Sequence, residues 1–152
     1  MVDAPDPRKN RLLAALTDED FRRWMPLLER VTMPLGQVLY EHGKPPSHAY
    51  FPTTSLLAML YVMENGASSE IAVICNEGMV GVALFMGGGA TPSRAEVQCT
   101  GEGFRIPAHA MTTEFVRSPS VAKLMLRFTQ ALIVQMAQTA ACNRHHKLDQ
   151  QL

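Results

Sequence analysis

Between Pro34 and Gly81 the chain is interrupted by proline or glycine every few residues: Pro34, Gly36, Gly43, Pro45, Pro46, Pro52, Gly66, Gly78 and Gly81. Inside a helix a proline costs about 3 kcal/mol and a glycine about 1 kcal/mol, so no long helix forms across this stretch. The apolar runs between the breaks are short and rich in Val, Ile, Leu, Tyr and Phe, the pattern of strands. Such runs fall at 37–40, 48–51, 55–63 and 69–75, and two more come at 94–99 and 103–107. Glu64-Asn65-Gly66 joins the third and fourth runs. Asn-Gly is a hairpin signal because both residues tolerate positive φ. Strands at this spacing, with turn chemistry between them, predict an antiparallel barrel or sandwich.

Helical patterns flank this region. Residues 1–9 hold two prolines and four charges and read as a flexible leader. Arg11 to Leu16 suits a short helix. Thr17 followed by Asp18, Glu19 and Asp20 is a helix start, a hydroxyl cap with acids near the positive end of the dipole. Phe21, Trp24, Met25 and Leu28 then recur at spacings of three and four, one helical face. After the strands a short helix is expected from Ala108 to Val116. Ser118-Pro119 opens the longest candidate, 118–147, with Pro119 in the first turn where its missing N–H costs nothing. About 28 residues span roughly 42 Å, longer than so small a barrel. Val121, Met125, Phe128, Leu132 and Met136 form an apolar stripe on it, broadened by Leu124, Ala131 and Ile133. Part of that stripe needs a partner, and a second copy of the helix is the simplest supplier. These five residues are the expected dimerisation contacts. Residues 148–152 read as the start of another helix, the beginning of a further domain.

The chemistry expected of most enzymes is missing. The 152 residues suffice for one domain, placed at 10–117 with the long helix after it. Fourteen Lys+Arg balance fourteen Asp+Glu, which argues against a free-standing nucleic-acid-binding surface. No run of about 18 apolar residues exists to cross a membrane, and the polar N-terminus has no signal core. Cys75, Cys99 and Cys142 are scattered, which suits reduced thiols in a cytoplasm and not a four-cysteine iron–sulfur cluster. His42 and His48 flank a proline turn, His109 is alone, and His145-His146 point to different helix faces, so no metal site is assigned. There is no Gly-x-Ser-x-Gly, no Walker loop and no His-Glu-x-x-His. No catalytic residue and no cofactor is expected.

The order of elements and several segments carry a resemblance. Leu35-Gly36-Gln37-Val38-Leu39-Tyr40-Glu41-His42-Gly43 looks like an opening strand and turn, and His48-Ala49-Tyr50-Phe51-Pro52 like the next strand. Gly66 stands at the hairpin, and Glu77-Gly78-Met79-Val80-Gly81-Val82 falls where a phosphate-binding cassette begins. Over residues 10–152 the chain resembles the sensor domain of the Crp/Fnr transcription regulators. That resemblance implies an α+β fold: an antiparallel β-roll (a double-stranded β-helix, or jelly roll, of cyclic-nucleotide-binding type) of roughly eight strands. Short N-terminal helices precede it and a long C-terminal dimerisation helix closes it. It further implies a small effector in the roll, a homodimer, and DNA read only by a separate, C-terminal winged helix-turn-helix domain.

The resemblance breaks at the cassette. Members that bind cyclic AMP carry Gly-Glu after the turn, then Arg followed by Ser/Thr-Ala. Here Gly81 is followed by Val82, so the ribose acceptor is missing. With Ala95 at the family alanine, Ser93 takes the arginine position and Arg94 comes one residue late, which on a strand turns it to the opposite face. Arg94 would enter the pocket only with a bulge or a local gap, for which Gly87-Gly88-Gly89 gives scope. The expected pocket residues are Gly81, Val82, Ala83, Leu84, Ser93, Arg94, Ala95, Met136 and Thr139, an apolar set poorly matched to cyclic AMP. Two alternatives stand beside an effector sensor. One is a cupin-type enzyme, weakened by the absence of His-x-His; the other is a ligand-free dimerisation scaffold.

Overall fold

A computed structural model describes residues 5–87 and 89–151, with side chains through Cys142 and at Arg144. Residues 1–4, Gly88 and Leu152 lie outside the described residues, as do the side chains of Asn143 and 145–151. The C-terminal segment expected at 148–152 therefore carries no side-chain description.

Two short helices open the fold, α1 (Arg11–Ala14) and α2 (Asp18–Trp24). Asn10 caps α1, its Oδ1 accepting from the N–H of Leu12 and Leu13, and its Nδ2 donating to the carbonyls of Pro52 and Gly78. Pro7–Lys9, expected to belong to a flexible leader, is a turn of 3-10 helix with Pro7 buried. Thr17 caps α2 by accepting from the N–H of Asp20 at 3.1 Å. The helix ends at Trp24 rather than at Leu28, because Pro26 diverts the chain into a 3-10 turn, Met25–Leu27.

Among the described residues seven strands come next: β1 (Glu29–Met33), β2 (Val38–Tyr40), β3 (His48–Pro52), β4 (Leu56–Val62), β5 (Ser68–Ile74), β6 (Ser93–Cys99) and β7 (Gly101–Pro107). They form two antiparallel sheets, ordered β1-β7-β3 and β2-β6-β4-β5. β1 was not expected from sequence. The closing helices are α3 (Ala108–Arg117) and α4 (Pro119–Gln151), the latter extending past the expected residue 147.

The sheets separate two cores. Between them, inside the roll, lie Met33, Leu39, Tyr40, Tyr50, Leu57, Met59, Ile74, Val80, Val97 and Leu132. Outside the three-stranded sheet, the helices bury Leu13, Trp24, Phe51, Met79, Ile106, Met111, Val121 and Met125. Trp24 meets Phe51 edge-to-face, with centroids 5.9 Å apart and planes at 77°. Phe128 of α4 packs against both cores, above Gly78, where a Cβ would collide with its ring.

Candidate functional site

The site is the cassette segment facing the roll interior. Val80 pairs with Tyr50, its N–H donating to the Tyr50 carbonyl and its own carbonyl accepting from Tyr50 N–H, each at 3.0 Å. Gly81 then turns the chain with φ +113°, and a Cβ there would lie 3.1 Å from Ala49 Cα. Two independent demands, a left-handed backbone and close passage beside β3, thus require glycine. The chain next makes one 3-10 turn, Val82–Leu84, instead of an α-helix. So short a turn carries little of the dipole that makes a helix N-terminus attractive to phosphate. Val82, Ala83 and Leu84 are half-buried; Val82 packs against both cores and Leu84 against the outer one.

Across from the turn, β6 alternates regularly. Ser93, Ala95 and Val97 are buried inside the roll, while Arg94 and Glu96 face out. Arg94 Nε donates to Glu41 at 2.7 Å and its Nη1 to Glu96 at 3.2 Å. Arg94 beside it, and His42 next, hold the Glu41 carboxyl down at about 2. Ser93, expected from the resemblance at the cation position, is buried with its hydroxyl 2.9 Å from Thr91 Oγ1.

The bulge that Arg94 needed falls instead on β2. Val38 pairs with Glu96 and Tyr40 with Ala95, so Leu39 is an extra residue. Val38 is therefore exposed while Leu39 and Tyr40 both turn inward, each 8% exposed. Burial drives the Tyr40 phenol up to about 12, against the pull of hydrogen bonds from Ser93 and the Gly81 N–H. Sequence reasoning missed Tyr40 because strict alternation assigns it and Val38 to one face. A bulge becomes visible only when the partner strand is known.

A cavity of about 350 Å³ opens between the β1 and β2 edges, lined by Arg30, Gln37, Leu39, Tyr50 and Arg105 among others. Both arginines are already paired. Arg105 Nε donates to Glu29 at 2.8 Å, and Arg30 Nη2 donates to both Glu102 oxygens, each at 2.8 Å. Burial lowers the His48 pKa, and the neighbouring Arg105 charge lowers it further.

α4 shows its faces clearly. Val121, Met125 and Leu132 are 0%, 0% and 3% exposed within one chain, so they have no surface to offer a second copy. Phe128 and Met136 are half-buried against the roll, and Thr139 is half-buried one turn further on. That stripe, expected as the dimer contact, is the face by which the helix packs on its own roll. The exposed apolar residues are Leu126, Ile133 and Val134, at 48%, 54% and 49%.

At the root of α4 sits a polar joint that the sequence did not reveal. Asp20 accepts hydrogen bonds from Ser118 Oγ at 3.2 Å and from Ser120 Oγ, 98 and 100 residues away. Arg23 Nη2 donates to Asp20 at 2.6 Å, and its Nε donates to both oxygens of Glu114, at 2.7 and 3.0 Å. Burial raises the Asp20 pKa, but hydrogen bonds from Ser120, Arg23, Thr17 and Ser118 outweigh it and leave the carboxyl below its usual value.

Residues 30–118 match the family described as the cyclic nucleotide-binding domain. The chain belongs to that family. No curated protein matches it. Among solved structures, the domain is similar to the N-terminal domain of a transcriptional regulator from Streptomyces coelicolor, at 20% identity and TM-score 0.61, covering 86% of this chain and 94% of that one. It is similar to the c-di-GMP-responsive global regulator CLP of Xanthomonas campestris, at 12% identity and TM-score 0.69, covering 82% of this chain and 63% of that one. It is also similar to the catabolite activator protein of Thermus thermophilus, at 15% identity and TM-score 0.61, covering 88% of this chain and 61% of that one. The cyclic nucleotide-binding domain thus spans less than two thirds of the last two regulators. At these identities they establish the fold: a β-roll of cyclic-nucleotide-binding type with a long C-terminal helix. Among the described residues, no helix is long and apolar enough to cross a membrane.

Proposed function

We propose that this cyclic nucleotide-binding domain is the effector-sensing and dimerisation module of a Crp/Fnr-like, cytoplasmic transcriptional regulator, and that its cassette does not take cyclic AMP in the ordinary way. The orientation of Arg94 carries the reading. It is held outside the roll by Glu41 and Glu96, while Ser93 fills the inward position. An ionised phosphate brought into this interior would meet Val82, Ala95 and a neutral hydroxyl. Burying a charge without a partner is costly enough to prevent binding.

Dimerisation is assigned to the exposed face of α4, with Leu126, Ile133 and Val134 meeting the same residues of a second copy. Three large apolar residues on one long helix, clear of its own roll, fit a helix pair. DNA is read by a separate domain of the regulator, and the module itself is not an enzyme. Thermal unfolding with and without about 1 mM cyclic AMP or cyclic GMP tests the cassette. A ligand at a hundred times its dissociation constant adds about 2.7 kcal/mol of stability. The expected result is no shift in midpoint; a shift of several degrees with either nucleotide would overturn the reading.

A further inference from the structure

We propose that the open mouth of the roll between β1 and β2 is a second ligand site, separate from the cassette, which takes a small carboxylate with an apolar body on Arg105. The site goes beyond the functional reading above and does not depend on what the cassette admits. Among the described residues β1 pairs only with β7 and β2 only with β6, so both are edge strands. The cavity of about 350 Å³ lies between them, within the size range of small-molecule sites. Register decides which cation faces the interior. Glu29 and Tyr50 stand directly opposite Arg105, on β1 and β3, so the three side chains share one face of the sheet. Val31 and Tyr50 pack in the inner core, which makes that face the inward one. Arg30 stands opposite Phe104 of the outer core, and Arg94 faces out on β6. Of the three arginines on the described strands, Arg105 alone therefore faces the interior of the roll.

The present partner of Arg105 is replaceable. Arg105 holds Glu29 by one contact, Nε to Oε2 at 2.8 Å, and the Glu29 side chain is 59% exposed. Ion pairs so open to water stabilise little. A guanidinium presents a fork that grips a carboxylate by two parallel hydrogen bonds. A ligand carboxylate can thus take Arg105 with more bonds than Glu29 makes. Val31, Leu39 and the Tyr50 ring wall the cavity for its apolar body. The cassette and α4 lie at the other edges of the two sheets. There Val80 is bridged to β3, and Gln135 of α4 donates to the Val73 carbonyl of β5 at 3.3 Å. Tyr50 connects the two sides. It lines the cavity, and its backbone exchanges two hydrogen bonds with Val80, each at 3.0 Å. An occupant resting on Tyr50 bears on the strand that holds the cassette.

Calorimetry on the whole chain tests this, with benzoate and isovalerate as probes and their neutral amides, benzamide and isovaleramide, as controls. At least one acid should bind with a dissociation constant of about 1 mM or tighter, and its amide at least about tenfold more weakly. In ¹⁵N–¹H NMR the bound acid should shift the amides of Val31, Leu39 and Tyr50 more than those of Val82 and Ala83. Arg105→Gln should weaken binding at least about tenfold. If that variant does not unfold cooperatively, Arg105→Lys takes its place, since it keeps the charge and loses the fork. Glu29→Gln removes the competitor and should tighten binding about two- to fivefold, a gain that a merely structural ion pair would not give. Failure of both acids to bind, or an amide that binds as well as its acid, overturns the proposal. So does an Arg105 variant that binds as well as the unmodified chain, or a Glu29→Gln variant that binds no more tightly. Shifts centred on Val82 and Ala83 would put the acid in the cassette and also overturn this site. The cassette reading itself stands or falls on the nucleotide melts, so the two failures are distinct.

Discussion

Leu132 and Ile133 are sequence neighbours with opposite surroundings, 3% and 54% exposed, and they allow the two faces of α4 to be separated. Leu132 packs inside the roll beside Met59, Ile74 and Val97. Leu132→Ala leaves a hole in that core and should cost about 3 kcal/mol, within the usual 2–5 kcal/mol for such truncations. For a domain of this size that lowers the melting midpoint by about 6–12 °C. Ile133→Asp removes apolar surface that lies outside the monomer core. Fully burying an isoleucine is worth about 1.5–3 kcal/mol. Roughly half of that surface remains free to be covered by a partner, so a dimer loses about 1.5–3 kcal/mol over its two copies, a roughly 10- to 150-fold weaker association. Desolvating the new carboxylate weakens it further. Sedimentation velocity over a concentration series, with melting curves recorded where both proteins are monomeric, reads the two quantities separately. Dimerisation of Ile133→Asp as tight as that of the unmodified chain, or a cost below about 1 kcal/mol for Leu132→Ala, would refute this division of the two faces.

Ser118→Ala removes both the hydroxyl that accepts from Val121 N–H and a donor to Asp20, and should destabilise by about 1–2 kcal/mol in a denaturant melt. Tyr40 should ionise only near pH 12 when absorbance at alkaline pH is recorded, and Tyr40→Phe should remove that late step. Because its folded pKa is raised, the folded state keeps the proton longer. That contribution to stability is present below about pH 10 and is lost as the pH rises towards 12. Arg94→Ala should return the Glu41 carboxyl, read by ¹³C NMR, from about 2 towards the ordinary carboxylate range. In the unmodified chain this depressed pKa contributes stability above about pH 4.5 that fades as the pH falls through 2.

The strand pattern was legible because turn residues bound it. Glycine and proline set the ends of β2 to β7 to within one or two residues of the observed bounds. β1 was hidden because only Val31 and Met33 alternate in it, too brief a signal to separate from the preceding helical stripe. The outward turn of Arg94 came from a period of two on a regular strand. The inward turn of Tyr40 did not, since it depends on one unpaired residue in β2 relative to β6. On α4 an apolar stripe was visible, but the apolar residues cover two faces. Val121, Met125 and Leu132 are offset by one or two positions from Leu126, Ile133 and Val134, and hydropathy cannot say which set its own roll has already taken. Asp20 was read as an acid in the first turn of a helix. Its partners lie about a hundred residues away, beyond any local pattern.

The same contacts that obscured α4 in the sequence explain how it could serve as a lever under the proposed function. Its root is pinned: Ser118 caps the helix and is tied to α2 through Asp20. About ten residues on, roughly 15 Å along the axis, Phe128 lies over Gly78 and touches both cores. Val82, next to Gly81 in the cassette turn, also packs against both. An effector that entered beside the cassette turn would disturb Gly81 and Val82 first, and the repacking would reach α4 at Phe128, in the stretch that carries Leu126 and Ile133. A pinned root converts a shift there into a change of helix direction and not a slide of the whole helix. The effector need prefer one arrangement by only about 1–3 kcal/mol to bias the pair. Under the proposed function the Asp20 joint would therefore serve as the fixed end of that lever. Without it, a displacement at Phe128 would slide the helix at Ser118 instead of turning its pairing face.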